Sequence, residues 1–132
     1  MDRLFLDANI LFSAAYSPNA GLTALWKLKK VALCSSRYAL EEARINLSDE
    51  SQLDRLAKLS VALELFGEVE AELPNGISLP EKDVPIFLAA IKGRSTHLLT
   101  GDIRHFGRYL GRRISGILIQ LPGNYLRSRA RG

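Results

Sequence analysis

Four acidic residues in this chain of 132 residues stand where acids are poorly tolerated unless something requires them. Asp7 interrupts the apolar run Leu4-Phe5-Leu6-Asp7-Ala8-Asn9-Ile10-Leu11, at the point where a buried strand gives way to a helix. Asp is among the worst strand residues and is rarely buried without a partner. Asp102 follows a second apolar strand through His97, Leu98 and Leu99, and Asp83 opens a nearly all-apolar segment ending at Ile91. Glu42 is predicted on the same helix face as Tyr38, Ala39 and Ile45, while Glu41 should point to solvent. Singly, each has an ordinary explanation: Asp7, Asp83 and Asp102 suit helix N-caps, and Glu41-Glu42 suits a solvated helix face. Jointly they suit a hard divalent cation such as Mg²⁺ or Mn²⁺. Such ions take oxygen ligands, and a pair of them can hold an attacking water and the leaving oxygen of a phosphodiester in line. Without metal, four converging carboxylates repel one another. With two histidines, His97 and His105, and one cysteine, Cys34, no zinc or thiolate site competes.

Strand-like and helix-like segments alternate in a way that can bring these acids together. Leu4–Leu6 reads as a strand, Asn9–Ala15 as a helix, Leu22–Lys29 as a helix on the recurrence of Leu22, Leu25, Trp26 and Lys29, and Val31–Cys34 as a strand. Ser35 or Ser36 can cap the helix that carries Glu42, and Asp49 with Gln52 resembles a capping box opening the next. Glu64–Glu72 alternates weakly, as an edge strand or loop, and Pro74-Asn75-Gly76 is a turn. Asp83–Ile91 reads as a buried helix stopped by Gly93, Thr96–Thr100 and Ile117–Ile119 as strands, and Pro122–Arg129 as a terminal helix. This order argues for a parallel sheet wrapped by helices on both faces, with right-handed crossovers. Acids at strand ends and helix starts then share one sheet edge, where open α/β sheets place their chemistry.

The length suits one domain spanning 1–132, and no apolar run reaches the roughly 20 residues of a membrane helix. The N-terminus lacks the apolar core of a signal peptide, so the expected location is cytoplasmic, and Cys34 should pack as a small hydrophobe. Charge is distributed unevenly. Residues 1–91 hold nine Lys/Arg against thirteen Asp/Glu, and residues 92–132 hold nine Lys/Arg against Asp102 alone. Among the latter are Arg104, Arg108, Arg112 and Arg113, whose guanidinium forks match phosphate oxygens and favour a polyanion, nucleic acid being the commonest; a solvated surface is the plainer reading. His97 reads as a strand residue; His105 can touch a phosphate or simply pack.

With these residues in place, the chain resembles the PIN-domain ribonucleases, which include the VapC-like toxins of prokaryotic toxin–antitoxin pairs. The resemblance covers most of the chain and rests on Leu4–Ile10, Ser36–Leu47 around Glu42, Asp83–Ile91, and Thr100-Gly101-Asp102 with His105-Phe106. It implies a three-layer α/β/α sandwich with a mainly parallel central sheet, a metal-binding and catalytic set of Asp7, Glu42, Asp83 and Asp102, and cleavage of single-stranded RNA with Mg²⁺ or Mn²⁺. Asn9 and Thr100 match the polar residues that support the acids. Arg104, His105, Arg108, Arg112 and Arg113 are the expected RNA contacts. An antitoxin protein and a second copy of the chain are the expected protein partners, with no membrane. The alternative is a non-catalytic RNA-binding or scaffold module on the same fold. A phosphotransfer receiver domain fits less well, wanting paired acids after its first strand, and so does a haloacid-dehalogenase-type phosphatase, wanting Asp in place of Asn9.

Overall fold

The first apolar run becomes the middle of the sheet. In this computed structural model, which describes residues 1–131, β1 (Asp2–Leu6) has Leu4, Phe5 and Leu6 fully withdrawn from solvent. Successive strand side chains point to opposite faces, so three consecutive buried residues require cover on both. Burial of each such side chain stabilises by about 1.5–3 kcal/mol. β1 pairs in parallel with β2 (Val31–Ser36) on one side and β4 (His97–Leu99) on the other. With β3 (Glu64–Phe66), β5 (Arg113–Ile114) and β6 (Ile117–Gln120), the six strands run in the order β3-β2-β1-β4-β6-β5. Each pairing is parallel except β5 with β6. Those two are joined through Ser115 and Gly116, with φ of 52° and 78°, the left-handed conformations that let a two-residue turn follow the twist of a hairpin.

Helices cover both faces. α1 (Ala8–Tyr16), α2 (Arg37–Asn46) and α3 (Glu50–Ser60) pack on one another. The usual right-handed crossover, from β3 back across the sheet to β4, then carries α4 (Val84–Lys92) to the other side, and α6 (Pro122–Arg131) follows β6 as the last element. The result is the α/β/α sandwich expected from the sequence. Ser36 caps α2, its hydroxyl accepting the Ala39 N–H at 3.0 Å, and the Asp49–Gln52 capping box opens α3. α4 buries Ile86 through Ala90. The Tyr125 ring of α6 sits edge-on to His97 at 4.9 Å, and its hydroxyl donates to Asp2. Thus His97 is a packed strand residue, and Cys34 lies in the hydrophobic core.

Several local expectations are corrected. Leu22–Lys29 is not an α-helix but a 3-10 helix over Gly21–Lys27. Its three-residue period aligns Leu22, Leu25 and the following Leu28, all of which pack on the core. On α2 the buried residues are Ala39 and Ala43, whereas Ile45 is 64% exposed, so the predicted Tyr38–Ile45 face is not the packing face. Gly93 does close α4, but for want of space rather than for a left-handed turn. A Cβ there would lie 2.5 Å from the Phe66 ring, and the positive φ belongs to Arg94. The short β5 and the four-residue helix α5 (Ile103–Phe106) carry too little periodicity to be read from sequence.

Candidate metal centre

Chain order reverses between β1 and β4: β1 leads by crossover to β2 on one side, while β4 lies on the other. A crevice forms at the carboxyl ends of strands at such a switch point. Register decides what faces it. Leu6 pairs with Leu99 and Leu99 with Gln120, and the ladder continues one step as Asp7 N–H donates to Leu99 O and Thr100 N–H to Gln120 O, both at 3.1 Å. Asp7 and Thr100 are therefore neighbours at the sheet's edge.

Asp7, only 3% exposed, accepts three hydrogen bonds. Oδ1 takes the Ala8 N–H at 2.7 Å, and Oδ2 takes the Thr100 hydroxyl at 2.7 Å and the Asn9 amide at 3.0 Å. Asn9 also accepts the Gly101 N–H at 2.7 Å, tying the start of α1 to the loop after β4; a Cβ on Gly101 would crowd Asn9 Oδ1 at 3.2 Å. Thr100 Oγ1 in turn accepts the Asp102 N–H at 3.0 Å. Burial pushes the Asp7 carboxyl up to about 6, with the nearby Asp83 charge adding to the rise and the three hydrogen bonds opposing it. No cation partners it among the described ion pairs.

Asp83 ends a single 3-10 turn (Glu81–Asp83) just before α4 and makes no side-chain cap bond, so helix capping does not explain it. The residue is 6% exposed, and its carboxyl is raised above the usual carboxylate range, chiefly by burial. Asp102 does cap α5, Oδ1 accepting the His105 N–H at 3.1 Å. Its Oδ2 lies 2.8 Å from His105 Nδ1, which is also 2.8 Å from Asp83 Oδ2. Neither contact has hydrogen-bond geometry: Asp83 Oδ2 and His105 Nδ1 are buried polar atoms without hydrogen-bond partners.

Glu42 completes the set. All four acids line one cleft of about 340 Å³, together with Asn9, Phe12, Asn46 and Lys82. Glu41 turns away and pairs with Arg44 at the surface. Tyr38, whose hydroxyl donates to Lys82 O at 2.9 Å, has its phenol pKa raised by burial first and then by the charges of Glu42, Asp83 and Asp7. Sequence reasoning overlooked Lys82 as a cleft residue, although it adjoins Asp83. It also gave His105 no role toward the acids, although three residues along a helix from Asp102 is a same-face spacing. The expected RNA contacts are spread out. Arg104 is an exposed residue of α5, and Arg108 lies in the 3-10 turn after it (Gly107–Tyr109) with its guanidinium 5.8 Å from the Tyr109 ring centre. Arg112 and Arg113 belong to the far edge of the sheet, where Arg113 donates to Gly116 O within the hairpin.

No protein-family model matches this sequence, and no curated protein does. Solved structures do. The structure of VapBC2 from Rickettsia felis bound to a DNA fragment from their promoter matches with a TM-score of 0.67 and 19% identity, over 90% of this chain and 98% of that one. The structure of VapC20 from Mycobacterium tuberculosis, a sarcin-ricin loop cleaving toxin, matches with a TM-score of 0.54 and 14% identity, over 75% and 91%. FitAB bound to an IR36 DNA fragment matches at 0.53 and 17%, over 90% and 94%. The chain has the PIN-domain fold. Within this PIN fold the cleft suits a hard divalent cation. A buried carboxylate oxygen that accepts no hydrogen bond costs free energy, and Asp83 Oδ2, whose near polar neighbour is His105 Nδ1, is such an oxygen in a cleft lined by three further carboxylates. Asp7, Glu42, Asp83 and Asp102 are the oxygen donors the cleft offers. Among the described residues no helix is long and apolar enough to cross a membrane.

Proposed function

We propose that this chain is a divalent-metal-dependent endoribonuclease that cleaves single-stranded RNA, with Mg²⁺ or Mn²⁺ held by Asp7, Glu42, Asp83 and Asp102, and that it is the toxin of a toxin–antitoxin pair. The observation that carries the reading is that four carboxylates line one cleft at the switch point, one of them buried with an oxygen that accepts no hydrogen bond. Its fold counterparts support it: the VapC20 structure is that of a sarcin-ricin loop cleaving toxin, and VapBC2 and FitAB support an antitoxin as partner.

When bound, such a cation neutralises charge developing on the phosphoryl oxygens and makes water a stronger nucleophile at neutral pH. The chain's own residues position the parts. Thr100 and Asn9 fix the Asp7 carboxylate by hydrogen bonds, and Asn9 and Thr100 also hold the Gly101–Asp102 backbone, so the two strand-end acids move together. Lys82 at the cleft, and the exposed Arg104 and Arg108 on the short helix and 3-10 turn that follow Asp102, offer positive charge to the RNA backbone. Incubation of labelled single-stranded RNA with the purified chain should give cleavage with Mn²⁺ and none with EDTA. Metal-independent RNA binding without cleavage would instead leave a non-catalytic module, and cleavage that persists in EDTA would remove the metal from the reading.

A further inference from the structure

We propose that His105 is itself a metal ligand, its Nδ1 joining Asp83 and Asp102 in a mixed nitrogen–oxygen site that favours a divalent first-row transition ion over Mg²⁺. The inference rests on the metal-dependent reading of the cleft and goes beyond it in naming a ligand and a metal class. His105 Nδ1 sits 2.8 Å from an oxygen of each acid, and the three donor atoms lie within 4.8 Å of one another. A histidine serving as an ordinary hydrogen-bond partner aims its N–H at one acceptor. This one touches two oxygens and bonds neither, leaving both His105 Nδ1 and the buried Asp83 Oδ2 unsatisfied. Adjacent ligands around an ion at metal–ligand distances of about 2.1 Å lie roughly 3 Å apart, so the two nitrogen–oxygen spacings are those of neighbouring ligands in a coordination shell. The His105 backbone N–H is already held by Asp102 Oδ1, which fixes the ring's origin on α5.

Nitrogen donors change the metal preference. Mg²⁺ is satisfied by oxygen and water, whereas imidazole adds affinity for transition ions. The opposite role is also physically defined: a protonated His105 standing between the acids as a resident counter-charge, which an incoming ion must displace. The two differ in sign. Removing a ligand weakens metal binding, and removing a displaced counter-charge tightens it.

The experiment uses the full chain without an affinity tag, with Mn²⁺ as the probe and no RNA. Free Mn²⁺ is followed by electron paramagnetic resonance, Mg²⁺ by competition, and bound Mn²⁺ by its nitrogen hyperfine coupling. With two histidines in the chain and His97 packed against Tyr125, imidazole coupling identifies His105. The expected result is ¹⁴N coupling in the wild type, its loss in His105→Ala, and a fall in Mn²⁺ affinity of about tenfold or more with a smaller fall for Mg²⁺. Bound Mn²⁺ without nitrogen coupling, or a variant that binds Mn²⁺ as tightly or more tightly, overturns the ligand assignment while leaving the metal-dependent reading intact. A wild type that binds no Mn²⁺ overturns both. The wild-type spectrum decides the matter even if the variant does not fold.

Discussion

Asp7→Asn separates a metal-site acid from a structural one by the sign of its effect on stability. The Asp7 carboxyl is pushed up to about 6 from 3.8. A folded-state pKa above the unfolded value means that the unfolded chain releases its proton first as pH rises. The stability is therefore fully present below about pH 3.8 and is lost as pH climbs through about 6, a cost of roughly 3 kcal/mol at neutral pH without metal. Neutralising the residue removes that cost. It also places an amide NH₂ where an oxygen accepted a donor, either from Thr100 and Asn9 or from Ala8, at about 1–3 kcal/mol for the unsatisfied group. The balance in EDTA at pH 8 is a gain of about 0–2 kcal/mol, or up to roughly 10 °C in Tm for a domain of this size. Near pH 4 the advantage should vanish or reverse, since the wild-type carboxyl is then protonated in the fold. Adding Mn²⁺ at a hundred times its Kd should stabilise the wild type by about 2.7 kcal/mol and the variant much less. Thermal unfolding at both pH values, with EDTA and with Mn²⁺, is measured beside RNA cleavage, which the variant should lack. A loss of several kcal/mol in EDTA at pH 8, equal metal-induced shifts, or a variant that still cleaves would refute the assignment.

Two further outcomes are expected. Replacing Arg104 and Arg108 together with Gln should weaken RNA binding uniformly across sequences and lower the slope of log affinity against log salt by about 1.4, whereas the same change at Arg112 and Arg113, on the far sheet edge, should alter it less. Fluorescence anisotropy with several RNA sequences measures both, and equal slopes for the two pairs would place the RNA elsewhere. Gly93→Ala should cost about 1–3 kcal/mol in urea unfolding, because Phe66 must leave its position, with cleavage by the folded protein unaffected; an unchanged midpoint would mean that β3 yields freely.

The sequence by itself determined β1, the buried α4 and the caps of α2 and α3, because apolar runs, helix-capping residues and the capping box are local signals. It also marked Asp7 and Asp102, since an acid at the end of an apolar strand is conspicuous wherever the strand is placed. The left-handed pair in the β5–β6 hairpin was not legible because a two-residue β5 is too short to show a strand pattern, and the 3-10 geometry of Gly21–Lys27 and the exposure of Ile45 were not because each depends on which neighbouring element fills the space. Tertiary structure alone decided where each acid sits and what it touches. Asp83 read equally well as a helix cap until its side chain was found buried and making no cap bond, and Glu42 joined the cleft only because α2 packs on α1. Thr100 came to hold Asp7 through a strand register spanning more than ninety residues, and His105 came between Asp83 and Asp102 because α5 and the turn before α4 meet at the switch point. Contacts between residues so far apart in the chain leave no periodicity in sequence, and burial, which raises the carboxyl pKa of Asp7 and Asp83, is a property of the packed molecule.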